Sequence, residues 1–114
     1  MTHPFEQFRQ RREAGNSKVL DTDNLAIKRF FGLDKNVYGD GALPARTKEL
    51  MGLVASMVLR CNDCIDYHLE QCVEAGFNKA ELDEALSVAL MVGGSIVIPH
   101  ARHAAESLAY LLDG

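Results

Sequence analysis

The sequence predicts an all-α fold, and three observations carry that prediction. In "ARTKELMGLVASMVLR" apolar residues recur at Leu50, Leu53, Val54, Met57 and Val58, the spacing of one helix face. Asn78 is followed three residues later by Glu81, the reciprocal capping pattern that opens a helix, and Gly76 just before it is a natural helix stop. Strand-like alternation is confined to the four residues "SIVI". The chain has 114 residues, of which 47% are apolar and 25% charged, an ordinary balance for one globular domain.

The elements follow in order. Phe5 and Phe8 lie three apart ahead of the charged run from Arg9 to Glu13, which predicts a short surface helix ended by Asn16 and Ser17. Asp21 or Thr22 then caps a helix carrying Leu25, Ile27, Phe30 and Phe31, closed by Gly32. The glycines and proline of "YGDGALP" make a loop. A long helix starts after Pro44, and Met51 and Leu59 widen its apolar stripe beyond a single face. A further helix, "DYHLEQCVEAG", leads away from a cysteine pair to Gly76. The helix opened by Asn78 carries Leu82, Leu86, Ala89, Leu90 and Val92 before Gly93 and Gly94, which mark either a break or a close helix contact. Pro99 makes the chain bend or restart, and "HARHAAESLAYLL" reads as a final amphipathic helix. Residues 1–43 thus form a peripheral layer and residues 44–114 the core, with no internal repeat.

Charge and composition exclude several classes of function. A net charge of −4 gives no general attraction to nucleic acid or to an anionic membrane surface. No apolar run approaches the roughly 20 residues that span a bilayer. The first twenty residues lack the apolar stretch of a secretory signal, so the expected location is the cytoplasm, where thiols stay reduced unless a reaction oxidises them. Three cysteines cannot all pair within one chain, which disfavours a structural disulfide framework. A small helical chain gains by burying further surface against copies of itself.

The chemistry concentrates in "LRCNDCIDYH", with Cys61 and Cys64 three apart and His68 four residues beyond. Zinc fits this poorly. Cys61, Cys64, His68 and Cys72 span eleven residues, about 16 Å along a helix, whereas zinc holds its ligands within about 2.3 Å, which leaves as the zinc alternative a site of the two cysteines, His68 and a distant His100 or His103. Cys72 reads as a small buried hydrophobe. Residues at i and i+3 across a helix start lie within the 4.4–6.8 Å Cα spacing a disulfide needs. Asn62 or Asp63 between them is a good N-cap type, which places Cys64 in a first turn whose free N–H groups and dipole favour a thiolate. Asp63 and Asp66 oppose that with negative charge. His68 shares a helix face with Cys64 and can take or return its proton. His100 and His103, three apart after Pro99, read as a surface or interface pair, the alternative placing one of them at the mouth of an active site.

Glu49, Cys61-Asn62-Asp63-Cys64 and His68 together form E-x(11)-C-x-x-C-x(3)-H, and this resembles the motif of the AhpD-like, or carboxymuconolactone decarboxylase-like, proteins. The resemblance runs from Pro44 to Glu106 and is carried by "KELMGLVASMVLRCNDCIDYHLEQCVEAGFNKAELDEALSVALMVGGS". It implies one helical-bundle domain over residues 1–114 and a homo-oligomer, a hexamer built as a trimer of dimers. Members with both cysteines resemble alkylhydroperoxidases, antioxidant enzymes that need no cofactor or metal and reduce a peroxide or disulfide by cycling between dithiol and disulfide. Carried over, Cys64 is the less exposed, activated thiol, with Glu49 and His68 as its proton relay, and Cys61 is the more accessible partner that meets an external dithiol reductant. One position departs: a histidine precedes the second cysteine in the peroxidase type, where this chain has Asp63, and a carboxylate disfavours the thiolate. Glu49 lies twelve residues before Cys61, so the relay requires the chain to reverse at the cysteines and lay the His68 helix back along the Glu49 helix. Two other functions share the motif. A lactone decarboxylase would use Glu49 and His68 alone, and a non-catalytic oligomeric binding module would use the cysteines only to staple a helix start.

Overall fold

Six α-helices and one 3₁₀ turn account for the regular structure of residues 2–113, the residues described by the computed structural model; no strand occurs among them. The chain divides into two compact units, one ending at Ala42 and the other beginning at Leu43.

The first unit holds α1 (Pro4–Leu20) and α2 (Leu25–Val37). His3 caps α1, its Nδ1 accepting from the Phe5 N–H at 3.0 Å, with Pro4 in the first turn where no N–H is needed. Asn16 and Ser17 do not end the helix as their residue types suggested. It continues to Leu20, where the Asp21 N–H bonds to the Ser17 carbonyl. Polar residues in a helix body cost only tenths of a kcal/mol each, less than a broken hydrogen-bond ladder. Nor is α1 only a surface helix: Phe5 and Phe8 are buried and meet edge to face with centroids 5.5 Å apart. The cap of α2 is Asn24, whose Oδ1 accepts from the Ile27 N–H. Thr22 instead supports the Asn24 N–H. Gly32, which has open space around it, does not close α2. That helix buries none of its residues in the single chain, and Leu25, Phe30, Leu33 and Val37 are all more than half exposed.

The second unit packs α3 (Ala45–Val58), α4 (Asn62–Glu74), α5 (Lys79–Gly93) and α6 (Ile98–Asp113) around one core, with the Ser95–Val97 turn between α5 and α6. Leu53, Met57, Ile65, Leu69, Leu82, Val97 and Leu108 form its centre. Each such side chain contributes about 1.5–3 kcal/mol by leaving water. Helix α3 lies against both α4 and α5, and α4 lies against α6.

Two tight reversals set this arrangement. After α3 the chain turns through Arg60 at φ 61°, with the Arg60 N–H bonded to the Met57 carbonyl and the Cys61 N–H to the Ser56 carbonyl, both at 3.0 Å. This is the paired-bond stop usually built on glycine; an arginine there adopts the left-handed region at a cost of about 1–2 kcal/mol. The same stop recurs after α4 on Gly76 at φ 95°, as its sequence position predicted. The Asn78–Glu81 reciprocal cap also forms, with bonds of 2.8 and 2.9 Å. The two readings of Gly93–Gly94 both apply. A Cβ on Gly93 would fall 2.4 Å from Val97 Cγ2, so that position is a close approach. Gly94, at φ 80° and ψ −168°, ends α5 in a conformation open only to glycine.

Candidate active site

The Arg60 reversal makes Cys61 the last residue of one structure and the first of the next. Its N–H closes α3, and in extended conformation (φ −107°, ψ 100°) it is itself the N-cap of α4. Its Sγ accepts from the Cys64 N–H at 3.3 Å. The cap is therefore Cys61 and not Asn62 or Asp63, because Asn62 has already entered the helix. Cys61 and Cys64 form a disulfide across this first turn, with Cα atoms 5.3 Å apart, inside the spacing the sequence allows.

Exposure reverses the order implied by the resemblance. In the single chain Cys64 is exposed and Cys61 half-buried. The cause is positional: Cys61 is held at the junction of α3 and α4, whereas Cys64 sits in the open first turn.

The reversal also lays α4 back along α3, which is what a relay between Glu49 and His68 requires. Glu49 Oε2 and His68 Nδ1 are 2.8 Å apart, and both side chains are only about one-tenth exposed, at 12% and 11%. A carboxylate only accepts, so Nδ1 carries the hydrogen and donates it. In the neutral ring this fixes the tautomer and makes Nε2 the basic nitrogen. The Tyr67 ring stands edge to face with the imidazole at 5.2 Å. One turn of α4 separates His68 from Cys64, on the same face. The structure thus joins Cys61 to Cys64 at the start of α4 and Glu49 of α3 to His68 of α4, one turn further along that helix.

Cys72 lies one turn beyond His68 along α4, fully buried. Burial, and secondarily the Glu49 carboxylate, push its thiol from 9.0 up to about 12, against an opposing pull from the Arg46 guanidinium. It is a packing residue held as a neutral thiol. An unfolded-chain thiol ionises near 9.0, so the stability this group contributes is complete below that pH and is lost as pH climbs toward about 12. Cys72→Ala is expected to flatten the decline in urea midpoint between pH 9 and 11; wild-type and variant curves that run parallel would contradict the assignment.

The sequence offered a place for His100 or His103 at the site only as the second reading, and it did not predict the contacts that α6 makes with Asn62 and Asp66. Asp66, flagged as a charge opposing a Cys64 thiolate, is buried, and its Oδ1 accepts from His103 Nε2–H at 2.9 Å and from the Ser107 hydroxyl at 2.6 Å. Two donors on one oxygen compensate that charge in part. His100 Nδ1 lies 2.8 Å from Asn62 Oδ1, within the CxxC itself. The signal was present as spacing: Asn62 and Asp66 share one face of α4, and His100, His103 and Ser107 share one face of α6. Only packing could show that the two faces meet.

Known proteins share this architecture. A protein of Thermotoga maritima matches at TM-score 0.91 and 55% identity, over 95% of each chain. A second crystal structure of the same Thermotoga protein, a carboxymuconolactone decarboxylase family protein suggested to take part in an antioxidative response, matches at TM-score 0.89 and 54% identity, over 94% of this chain and 91% of that one. A family member from Legionella pneumophila, at 24% identity, shares the fold at TM-score 0.87 over 96% and 98% of the two chains. An uncharacterized protein of Cupriavidus necator is 33% identical over 75% of this chain and 73% of its own length. The family model for carboxymuconolactone decarboxylases matches residues 25–107. Six helices of matching fold, a motif-bearing reversal and a family match across most of its length agree: this chain belongs to the carboxymuconolactone decarboxylase family.

Proposed function

We propose that the protein is a thiol-dependent oxidoreductase of the alkylhydroperoxidase type, reducing an organic peroxide or a disulfide with the Cys61–Cys64 dithiol. The observation that carries this reading is the Glu49–His68 hydrogen bond one helical turn from a bonded cysteine pair. A lone CxxC can be a staple, but a buried carboxylate that orients an imidazole beside it is the arrangement of an activated nucleophile. The suggested antioxidative role of the 54%-identical Thermotoga protein supports the same class.

The cycle starts from the dithiol. His68 Nε2 takes the Cys64 proton, with Glu49 stabilising the imidazolium that forms. The thiolate attacks the terminal peroxide oxygen, the O–O bond breaks, and the departing alkoxide takes a proton from His68 to leave as an alcohol. Cys64 is then a sulfenic acid. The Cys61 sulfur attacks it, the S–S bond forms, and hydroxide leaves as water with the Cys61 proton. An external dithiol attacks the disulfide and is itself oxidised, restoring both thiols. In this proposal the dithiol attacks Cys64, the more exposed sulfur in the single chain, and not Cys61 as the resemblance implies, so Cys61 leaves as a thiolate that its N-cap position and the Cys64 N–H stabilise.

The remaining features of the reading are an intracellular dithiol as reductant, a cytoplasmic location and self-assembly. None of the helices among the described residues is long and apolar enough to cross a membrane. Met51, Leu59, Met91 and Val92 leave apolar surface on the second unit, with a groove of about 620 Å³ along α3. Patches of this kind mark protein contacts, and a second copy of the chain, on the way to a hexamer, is the proposed occupant.

The test is stoichiometric. Pre-reduced protein mixed with cumene hydroperoxide is expected to consume one peroxide per two thiols lost, and dithiothreitol should sustain turnover. Protein that consumes no peroxide and exchanges with no small disulfide sinks the proposal. Decarboxylation of a lactone acid by a variant lacking both cysteines would favour the Glu49–His68 acid–base alternative.

A further inference from the structure

Glu49 reaches His68 on α4 from α3. A second set of side chains approaches from α6, and the catalytic cycle above does not use it. His100 bonds to Asn62, the residue that directly follows Cys61 and lies inside the disulfide loop. With the amide oxygen facing the ring, Nδ1 carries the hydrogen and donates it. One turn along both helices, His103 and Ser107 converge on the buried Asp66 carboxylate, with no buried side-chain polar atom left without a partner among the described residues. The lower contact is enclosed and doubly bonded, so it fixes the register of α6 on α4. The upper contact is at the surface and touches the part of α4 that must move during a redox cycle.

We propose that His100 and Asn62 form a redox clasp: α6 holds the CxxC turn in its closed shape and thereby favours the disulfide over the dithiol. The inference rests on the thiol–disulfide cycle proposed above. Its physical basis is linkage. Bonded sulfurs lie about 2 Å apart, and two free thiols must part to van der Waals distance. Asn62 sits between their backbones and shifts when they part. The His100–Asn62 bond is made with the disulfide closed, so whatever stability it loses on opening adds to the disulfide's resistance to reduction, and closure favours the bond in return. His100 is a positioning residue in this scheme; it transfers no proton and touches no substrate. His103, Ser107 and Asp66 supply the fixed point from which it acts.

The experiment measures the dithiol–disulfide equilibrium of full-length protein in glutathione buffers, read by thiol alkylation and mass, which needs no peroxide. Variants are His100→Ala, Asn62→Ala and the double variant; both positions are at the surface, and helix content by circular dichroism verifies folding. Each single change is expected to shift the equilibrium about threefold to tenfold toward the dithiol, the scale of one net hydrogen bond. The double variant should shift it no further than the larger single. A second readout uses the unaltered protein: the His100 ring signals in NMR are expected to move on reduction, while those of His103 hold. Single variants with unchanged equilibria, fully additive shifts, or a His100 signal indifferent to reduction overturn the clasp. If the wild-type pair cannot be reduced and reoxidised at all, the thiol cycle fails and the clasp with it. A pair that cycles normally while the variants match wild type removes the clasp alone.

Discussion

Cys64→Ser is expected to lower peroxide-dependent oxidation of the protein by about 10³-fold or more. The proposed first step is attack by a sulfur anion on a peroxide oxygen, and a serine hydroxyl at neutral pH supplies neither the charge nor the polarisability. Losses of this size are typical when a nucleophile itself is removed. Cys61→Ser should behave differently. Cys64 can still take one oxygen, so the variant should consume a single equivalent of peroxide and stop at the sulfenic acid, visible by mass as a dimedone adduct. The two variants therefore separate attacking from resolving sulfur. The exposure of Cys64 and the half-buried position of Cys61 at the helix junction favour this assignment. The opposite pattern, with a burst in Cys64→Ser and none in Cys61→Ser, would exchange the two roles. Full turnover in both would end the thiol proposal.

His68 replacement should have the next largest effect, about 10²- to 10⁴-fold in kcat/KM, the usual contribution of a positioned acid–base group. The variant must be chosen with stability in mind. His68→Ala removes the 2.8 Å partner of a carboxylate that is only 12% exposed, and leaving such an acceptor without its donor costs about 1–3 kcal/mol. His68→Gln keeps a donor for Glu49 while removing the base, so chemistry can be read apart from folding. Glu49→Gln should cost less, about tenfold, because Gln can still meet Nδ1 through its amide oxygen but no longer stabilises an imidazolium. In combination the two losses should fall well short of additive, since Glu49 acts through His68. Steady-state kinetics on the four proteins decides the matter; independent, additive effects would mean that the two residues do not form a relay.

These expectations draw on different levels of the molecule. Sequence alone determined the helical class, because periodicity and caps are local: the Leu53–Met57 face of α3, the Asn78–Glu81 cap and the Gly76 stop formed as written, whereas Met51 and Leu59, expected to bury a second side of α3, are exposed in the single chain. Boundaries set by weaker signals shifted. Asn16, Ser17 and Gly32 carry small penalties that a continuing helix overrides, so α1 and α2 ran past them. The N-cap passed to Cys61 because a left-handed arginine, not a glycine, turned the chain one residue earlier than residue types suggested.

For the site, the chain itself specified the motif and its spacing, since cysteines at i and i+3 meet by local geometry and His68 follows one turn later. What only the tertiary structure decided was every contact between helices: Glu49 on His68, His100 on Asn62, and His103 with Ser107 on Asp66. Those residues are nineteen to forty-one positions apart, and no periodicity relates them. The physical reason is that helix propensity and capping act within about one turn, whereas which faces meet is settled by burial of Leu53, Met57, Ile65, Leu69 and Leu108 in a shared core. The core aligns the helices, and the polar pairs then fall within bonding distance.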